Sequence, residues 1–188
     1  FKSYYCEDGA AACEQVVALI EEGSTVSWGG TVTVTDLGIK DVLKAGNYKV
    51  NDPYVFEDKD ESTEAKRQAL LSDVFLLSTN AVTMAGELVN IDGQGNRLAG
   101  LIFGPKKVIV VVGANKITAD VHTAISRIEM QAAPPNCERL GLENPCTITG
   151  KCQHCLNSKT ICNHTVITRN NIIPDRIHVV FVNEDLGF

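Results

Sequence analysis

This chain lacks long apolar runs, clusters of basic residues and low-complexity or repeated tracts. Its longest apolar run is Val108 to Val112, continuing through Gly113 and Ala114. A bilayer span needs about 20 such residues, so this run reads as a buried strand and a membrane partner is not expected. Lys and Arg total 17 against 23 Asp and Glu, for a net charge of −6. Phosphate binding needs a concentrated basic face, which disfavours a nucleic-acid groove. There is no Gly-x-x-x-x-Gly-Lys-Ser/Thr loop and no Gly-x-Ser-x-Gly elbow, which disfavours P-loop and nucleophile-elbow hydrolase chemistry. Gly93-Gln94-Gly95-Asn96-Arg97-Leu98 places Leu where the third glycine of a dinucleotide fingerprint would stand. An odd count of seven cysteines in 188 residues argues against a secreted disulfide framework. Reduced thiols in the cytoplasm are expected instead.

The chain is long enough for one domain with a real core, and its 44% hydrophobic and 21% charged residues are ordinary for a globular protein. Asp8 is expected to cap a helix running to Glu22, followed by a strand over 24–28 and a helix over 36–45 stopped by Gly46. Residues 47–60 read as an exposed connection, and Ser62 or Thr63 as the cap of a helix to Leu71. Strands are expected at 73–77, 87–91, 107–112, 165–168 and 177–182. Helices are expected from Arg97 to Phe103 and from a Thr118 cap to about Gln131, where Ala132-Ala133-Pro134-Pro135 should break the chain. Strands alternating with helices predict an α/β fold: a mainly parallel sheet with helices on both faces. The cysteine-rich segment 134–164 reads as a loop inserted before the last strands of a single domain over 1–188.

Four expected strand ends carry small polar loops: Gly29-Gly30-Thr31, Ser78-Thr79-Asn80, Asp92-Gly93-Gln94-Gly95-Asn96 and Gly113-Ala114-Asn115-Lys116. Open α/β sheets bind ligands at strand carboxyl ends, and glycine lets backbone approach a ligand closely. The expected ligand set is therefore Trp28, Gly29, Gly30, Thr31, Asn80, Gly93, Gly95, Asn96, Arg97, Asn115 and Lys116, around a small anionic ligand. Trp28 can stack on a ligand ring or fill the core, and Arg97 can pair with a carboxylate or phosphate through its planar fork. Asp92 is a candidate general base or a turn former. Glu184 follows the last strand and can complete the rim as a second catalytic candidate.

The strings Ser27-Trp28-Gly29-Gly30-Thr31, Asn90-Ile91-Asp92-Gly93-Gln94-Gly95-Asn96-Arg97, Phe103-Gly104-Pro105-Lys106-Lys107-Val108 and Glu184-Asp185-Leu186-Gly187-Phe188 resemble the LUD-domain, or lactate-utilization, family. The resemblance covers nearly the whole chain. It implies a fold similar to the sugar-phosphate isomerase and CoA-transferase superfamily. It also implies a link to oxidation of lactate or another small organic acid beside iron–sulfur partner proteins. The segment from Cys137 to Cys162 belongs to a shorter subgroup and looks absent from lactate utilization protein C.

That segment holds five cysteines in 26 residues, spaced Cys137-x8-Cys146-x5-Cys152-x2-Cys155-x6-Cys162, with His154 and His164 nearby. Four thiolates can close a zinc site or hold an iron–sulfur cluster. The spacing matches neither a zinc ribbon nor a ferredoxin run, so a redox pair at Cys152 and Cys155 is a further reading. A segment of this length without periodic structure is costly in entropy unless something ties it down. An electron-transfer partner protein follows from the cluster reading. Cys6 and Cys13 read as small hydrophobes.

Overall fold

In the computed structural model, which describes residues 1–188, six short strands pair in parallel to form one sheet. They are β1 (Lys2–Cys6), β2 (Thr25–Trp28), β3 (Lys49–Asn51), β4 (Val74–Leu77), β7 (Lys107–Gly113) and β10 (Ile177–Val182), in the order β1-β10-β7-β4-β2-β3. Register pairs Val180 with Val111 and Leu76 with Ile109. This sheet belongs to a compact unit made of Phe1–Ser78, Asn96–Asn115 and Asn170–Gly187.

Both faces of the sheet are apolar, as in an α/β layer protein. Val26, Trp28, Val74, Leu76, Ile109, Val111, Val180 and Val182 form one core cluster with Val16 of α1 (Gly9–Ala18), Val34 of α2 (Val32–Asp36) and Leu43 of α3 (Ile39–Ala45). The alternate residues Phe75, Leu77, Val108, Val110 and Val112 are equally buried. α5 (Asn96–Ile102) covers that side: a Cβ added at Gly100 would meet the Phe75 ring at 2.7 Å, so glycine is what lets helix and sheet close. α4 (Lys59–Ala69) packs with α5.

The second unit comprises Thr79–Gly95, Lys116–Arg169 and Phe188. Its four-stranded sheet runs β8 (Ile117–Thr118), β5 (Ala81–Thr83), β6 (Leu88–Asp92), β9 (His164–Thr168). β6 is antiparallel to both neighbours, so the strand over 87–91 is not part of the parallel sheet. The reason is local: the turn closed by Gly86, at φ +85°, returns the chain onto β5 at once.

Several helix bounds differ from expectation. Asp58, not Ser62 or Thr63, caps α4 by accepting from the N–H groups of Asp60 and Glu61. Asp120, not Thr118, caps α6 (Val121–Arg127) through a reciprocal box with Thr123. A π-helical turn over Ile128–Ala132 follows, then α7 (Ala133–Arg139), then α8 (Pro145–Thr149). Pro134 and Pro135 thus start a helix rather than break one. Proline lacks only an N–H that a first turn leaves unpaired anyway. No helix is long and apolar enough to cross a membrane.

Candidate metal centre and strand-end rim

In the first unit the carboxyl ends of the parallel strands gather several expected residues. Trp28 is buried, donates from Nε1 to Asp52 at 3.0 Å, and has the ammonium groups of Lys40 and Lys44 each 5.6 Å from its ring. Burial pulls the Asp52 carboxyl upward, but the Lys44 ammonium at 2.8 Å and the Tyr54 and Trp28 N–H groups outweigh it and hold it low. Gly29 lies against Arg97: an added Cβ would meet Arg97 Cγ at 2.8 Å. Arg97 in turn donates from Nη1 to the Ser78 carbonyl at 3.0 Å. Gly30 faces the Tyr54 hydroxyl, Thr31 caps α2, and Asn96 opens α5.

Asn115 accepts from Leu186 N–H and donates to Gly187 O, pinning the chain end. Glu184 accepts from Gly9 N–H at 3.0 Å, in the first turn of α1, where a carboxylate is favoured. The structure therefore brings Gly29 and Arg97 into contact, and gives Glu184 and Asn115 backbone partners.

The remaining rim candidates lie in the second unit. Asn80 bridges backbone, accepting from Ile91 N–H at 3.0 Å, and Lys116 is buried. Asp92 accepts from Gly95 N–H at 2.8 Å, the contact of a turn-forming aspartate. Its carbonyl also takes the Asn163 N–H at 3.0 Å. A Cβ on Gly93 would meet Ile161 Cα at 3.2 Å, and Gly95, at φ +84°, faces the His164 ring. This loop thus buttresses the end of the cysteine segment.

The cysteine segment closes on itself. Cys137, Cys146, Cys152, Cys155 and Cys162 all line one cavity of about 180 Å³, although they lie up to 25 positions apart in the chain. All are free thiols. α7 supplies Cys137, α8 supplies Cys146, and an irregular turn supplies the rest. Burial pushes the Cys162 thiol up to about 12, helped by the charge each of the other four would carry. Burial likewise pushes Cys146 to about 11, with Cys137 beside it. Cys146 and Cys162 therefore resist ionisation by themselves, whereas a bound cation makes thiolates favourable.

The residues fit a metal or cluster. Asn144, 1% exposed, donates from Nδ2 to Cys137 Sγ at 3.5 Å and to Lys159 O at 3.0 Å, while its Oδ1 is buried with no hydrogen-bond partner. The backbone N–H of His154 points to Cys152 Sγ at 3.4 Å, a bond that steadies a ligating sulfur. Cys152 Sγ, His154 Nδ1 and a Glu129 carboxylate oxygen lie within 4.8 Å of one another. The sequence reading missed Glu129 and Asn144. Asn144 stands among the cysteines and is legible as a turn residue, but Glu129 is 23 positions from Cys152 and gives no local signal.

Thus the molecule is an α/β protein with a thiol-lined cavity, and the family it belongs to follows from the sequence match. The LUD-domain model matches residues 1–182, and the chain belongs to that family. No curated protein matches the sequence. The structure is similar to that of a DUF162 family protein from Deinococcus radiodurans, at 13% identity and TM-score 0.48, covering 96% of this chain and 87% of that one. It is also similar to ribose 5-phosphate isomerase A from Methanocaldococcus jannaschii, at 12% identity and TM-score 0.40, covering 85% and 76%. A further similarity is to ribose 5-phosphate isomerase A from Neisseria gonorrhoeae, at 14% identity and TM-score 0.38, covering 58% of this chain and 52% of that enzyme.

Proposed function

We propose that this LUD-domain protein is a lactate-utilization-type redox protein of small organic-acid metabolism. Its redox centre is an iron–sulfur cluster held by thiolates drawn from Cys137, Cys146, Cys152, Cys155 and Cys162. The observation that carries this reading is the convergence of those five thiols on one cavity. Iron–sulfur ligation needs four soft sulfur donors at one point, and an iron–sulfur cluster supplies one-electron transfer when bound. Arg97, set against Gly29 at the end of β2, is the side chain for a substrate carboxylate.

A second reading has the chain as a non-catalytic iron–sulfur or metal module that docks on an electron-transfer partner. Leu156 and Ile148, 96% and 87% exposed, stand next to Cys155 and close to Cys146 and favour it. Partner docking uses apolar surface of this kind.

Anaerobic purification followed by iron and acid-labile sulfide analysis, with a dithionite-reduced absorption spectrum, tests the centre. Iron with sulfide and reversible bleaching is the expected result. Zinc alone would make the site a structural clip and remove the redox role. A thermal shift series with small organic acids tests the rim: stabilisation that Arg97→Ala abolishes supports acid binding, and no stabilisation by any acid leaves the module reading.

A further inference from the structure

We propose that Glu129, Cys152 and His154 form a separate mononuclear site, at the mouth of the cysteine cavity, for a borderline divalent ion of the zinc class. The inference deepens the reading above, because it assigns Cys152 to the mouth and leaves Cys137, Cys146, Cys155 and Cys162 for the cluster.

The donor atoms are already close. His154 Nδ1 is 3.9 Å from Cys152 Sγ and 3.8 Å from Glu129 Oε1, and all three lie within 4.8 Å of one another. Metal–ligand bonds of about 2.0–2.3 Å in a tetrahedron set donor atoms roughly 3.3–3.6 Å apart. A small turn of the carboxylate and imidazole therefore suffices. The donor chemistry separates the mouth from the interior. One sulfur, one imidazole nitrogen and one carboxylate oxygen suit zinc or cobalt, whereas the commonest iron–sulfur clusters are held by four thiolates.

The backbone holds this arrangement from three sides. Glu129 sits in the π-helical turn Ile128–Ala132, and such turns recur at functional sites. The Cys152 N–H donates to the Glu129 carbonyl at 2.9 Å, tying the turn to the cysteine segment. His154 has φ +49°, a left-handed conformation that a side-chain-bearing residue adopts at a cost of about 1 kcal/mol or more. Independently, the buried Oδ1 of Asn144 has no partner in the same cavity, so the cavity has a polar group waiting for a ligand or its bound water. His154 is three-quarters exposed, which leaves the fourth coordination position open to solvent or to an exchangeable ligand.

The test is addition of Co²⁺ to the full chain as purified anaerobically, read by absorption. The expected result is a single-thiolate charge-transfer band with tetrahedral ligand-field bands. His154→Ala, His154→Gln and Glu129→Gln should each abolish them with unchanged iron, sulfide and circular dichroism. Cys137→Ser should leave the Co²⁺ bands in place. Co²⁺ bands that survive the His154 and Glu129 variants, or that need Cys137, would overturn the inference even if iron and sulfide are present. Cobalt bands that depend on His154 in a chain devoid of iron and sulfide would instead uphold the mouth site and sink the cluster.

Discussion

The backbone N–H of Cys152 donates to the carbonyl oxygen of Glu129 at 2.9 Å, joining the middle of the cysteine segment to a π-helical turn 23 residues earlier. Five thiols reach one cavity because such backbone ties hold an otherwise irregular chain. α7 and α8 contribute Cys137 and Cys146 from short helices, and the Asp92–Gly95 loop braces the far end at Ile161 and Asn163.

Asn144 tests that bracing. Replacing it with Ala removes the donor to Cys137 Sγ and to the Lys159 carbonyl inside a buried site. A loss of about 1–3 kcal/mol is expected in urea denaturation, together with faster metal release to a chelator.

Gly29→Ala tests the packing of the rim. The new Cβ would press on Arg97 Cγ at 2.8 Å and Cβ at 3.2 Å. Destabilisation of about 1–3 kcal/mol is expected, because the stem must move off its place under Ser78. In the double variant with Arg97→Ala the two costs should not add, since truncating Arg97 removes the Cγ and Cδ atoms that the new Cβ would press on.

Arg176 is a buried cation whose guanidinium donates to the carbonyls of Pro105, Leu101 and Gly100 at 2.7–2.9 Å. It closes the end of α5 against β10. Arg176→Met should cost more than about 3 kcal/mol, since several buried carbonyls lose a charged donor together. Arg176→Lys should recover only part of that, because one ammonium cannot reproduce the planar fork. Denaturant midpoints of the three proteins decide it.

His178 gives the fold a pH dependence. Burial lowers its pKa below the ordinary 6.5, and the Lys107 and Lys2 charges push the same way against the opposing pull of the Asp175 carbonyl and carboxylate. Nε2 meets the Asp175 carbonyl at 3.0 Å and Nδ1 meets the Tyr4 hydroxyl at 3.0 Å, so the neutral ring is well satisfied. The unfolded chain then binds the proton more readily than the native one. This contribution to stability is full above 6.5 and is lost as pH falls from there through the lower native value. His178→Phe should flatten that part of a stability–pH curve. An unchanged slope would show that other groups set it.

The parallel sheet and the strand over 177–182 were legible because β-branched runs alternate with amphipathic segments. The edge strand β1 was not. Lys2-Ser3-Tyr4-Tyr5 is polar and largely exposed, and it becomes a strand only by pairing with β10. The small mixed sheet was equally hidden, since β5 and β8 have three and two residues and no periodicity. At the thiol-lined cavity the cysteines announced themselves, while Glu129 joins them through tertiary folding. Asp92, Gly93 and Gly95 were legible as a tight loop, but nothing local showed that the loop supports the cysteine segment.

The central claim is that the thiol-lined cavity holds an iron–sulfur cluster on Cys137, Cys146, Cys155 and Cys162. The most direct measurement is iron and acid-labile sulfide per chain in Cys162→Ser, set against the native chain and against Cys13→Ser. Cys162 lies among the other four thiols, while Cys13 packs against the core of the parallel sheet. Loss of iron and sulfide in Cys162→Ser alone is the expected result. Equal metal content in all three, or none in the anaerobically purified native chain, would contradict the claim.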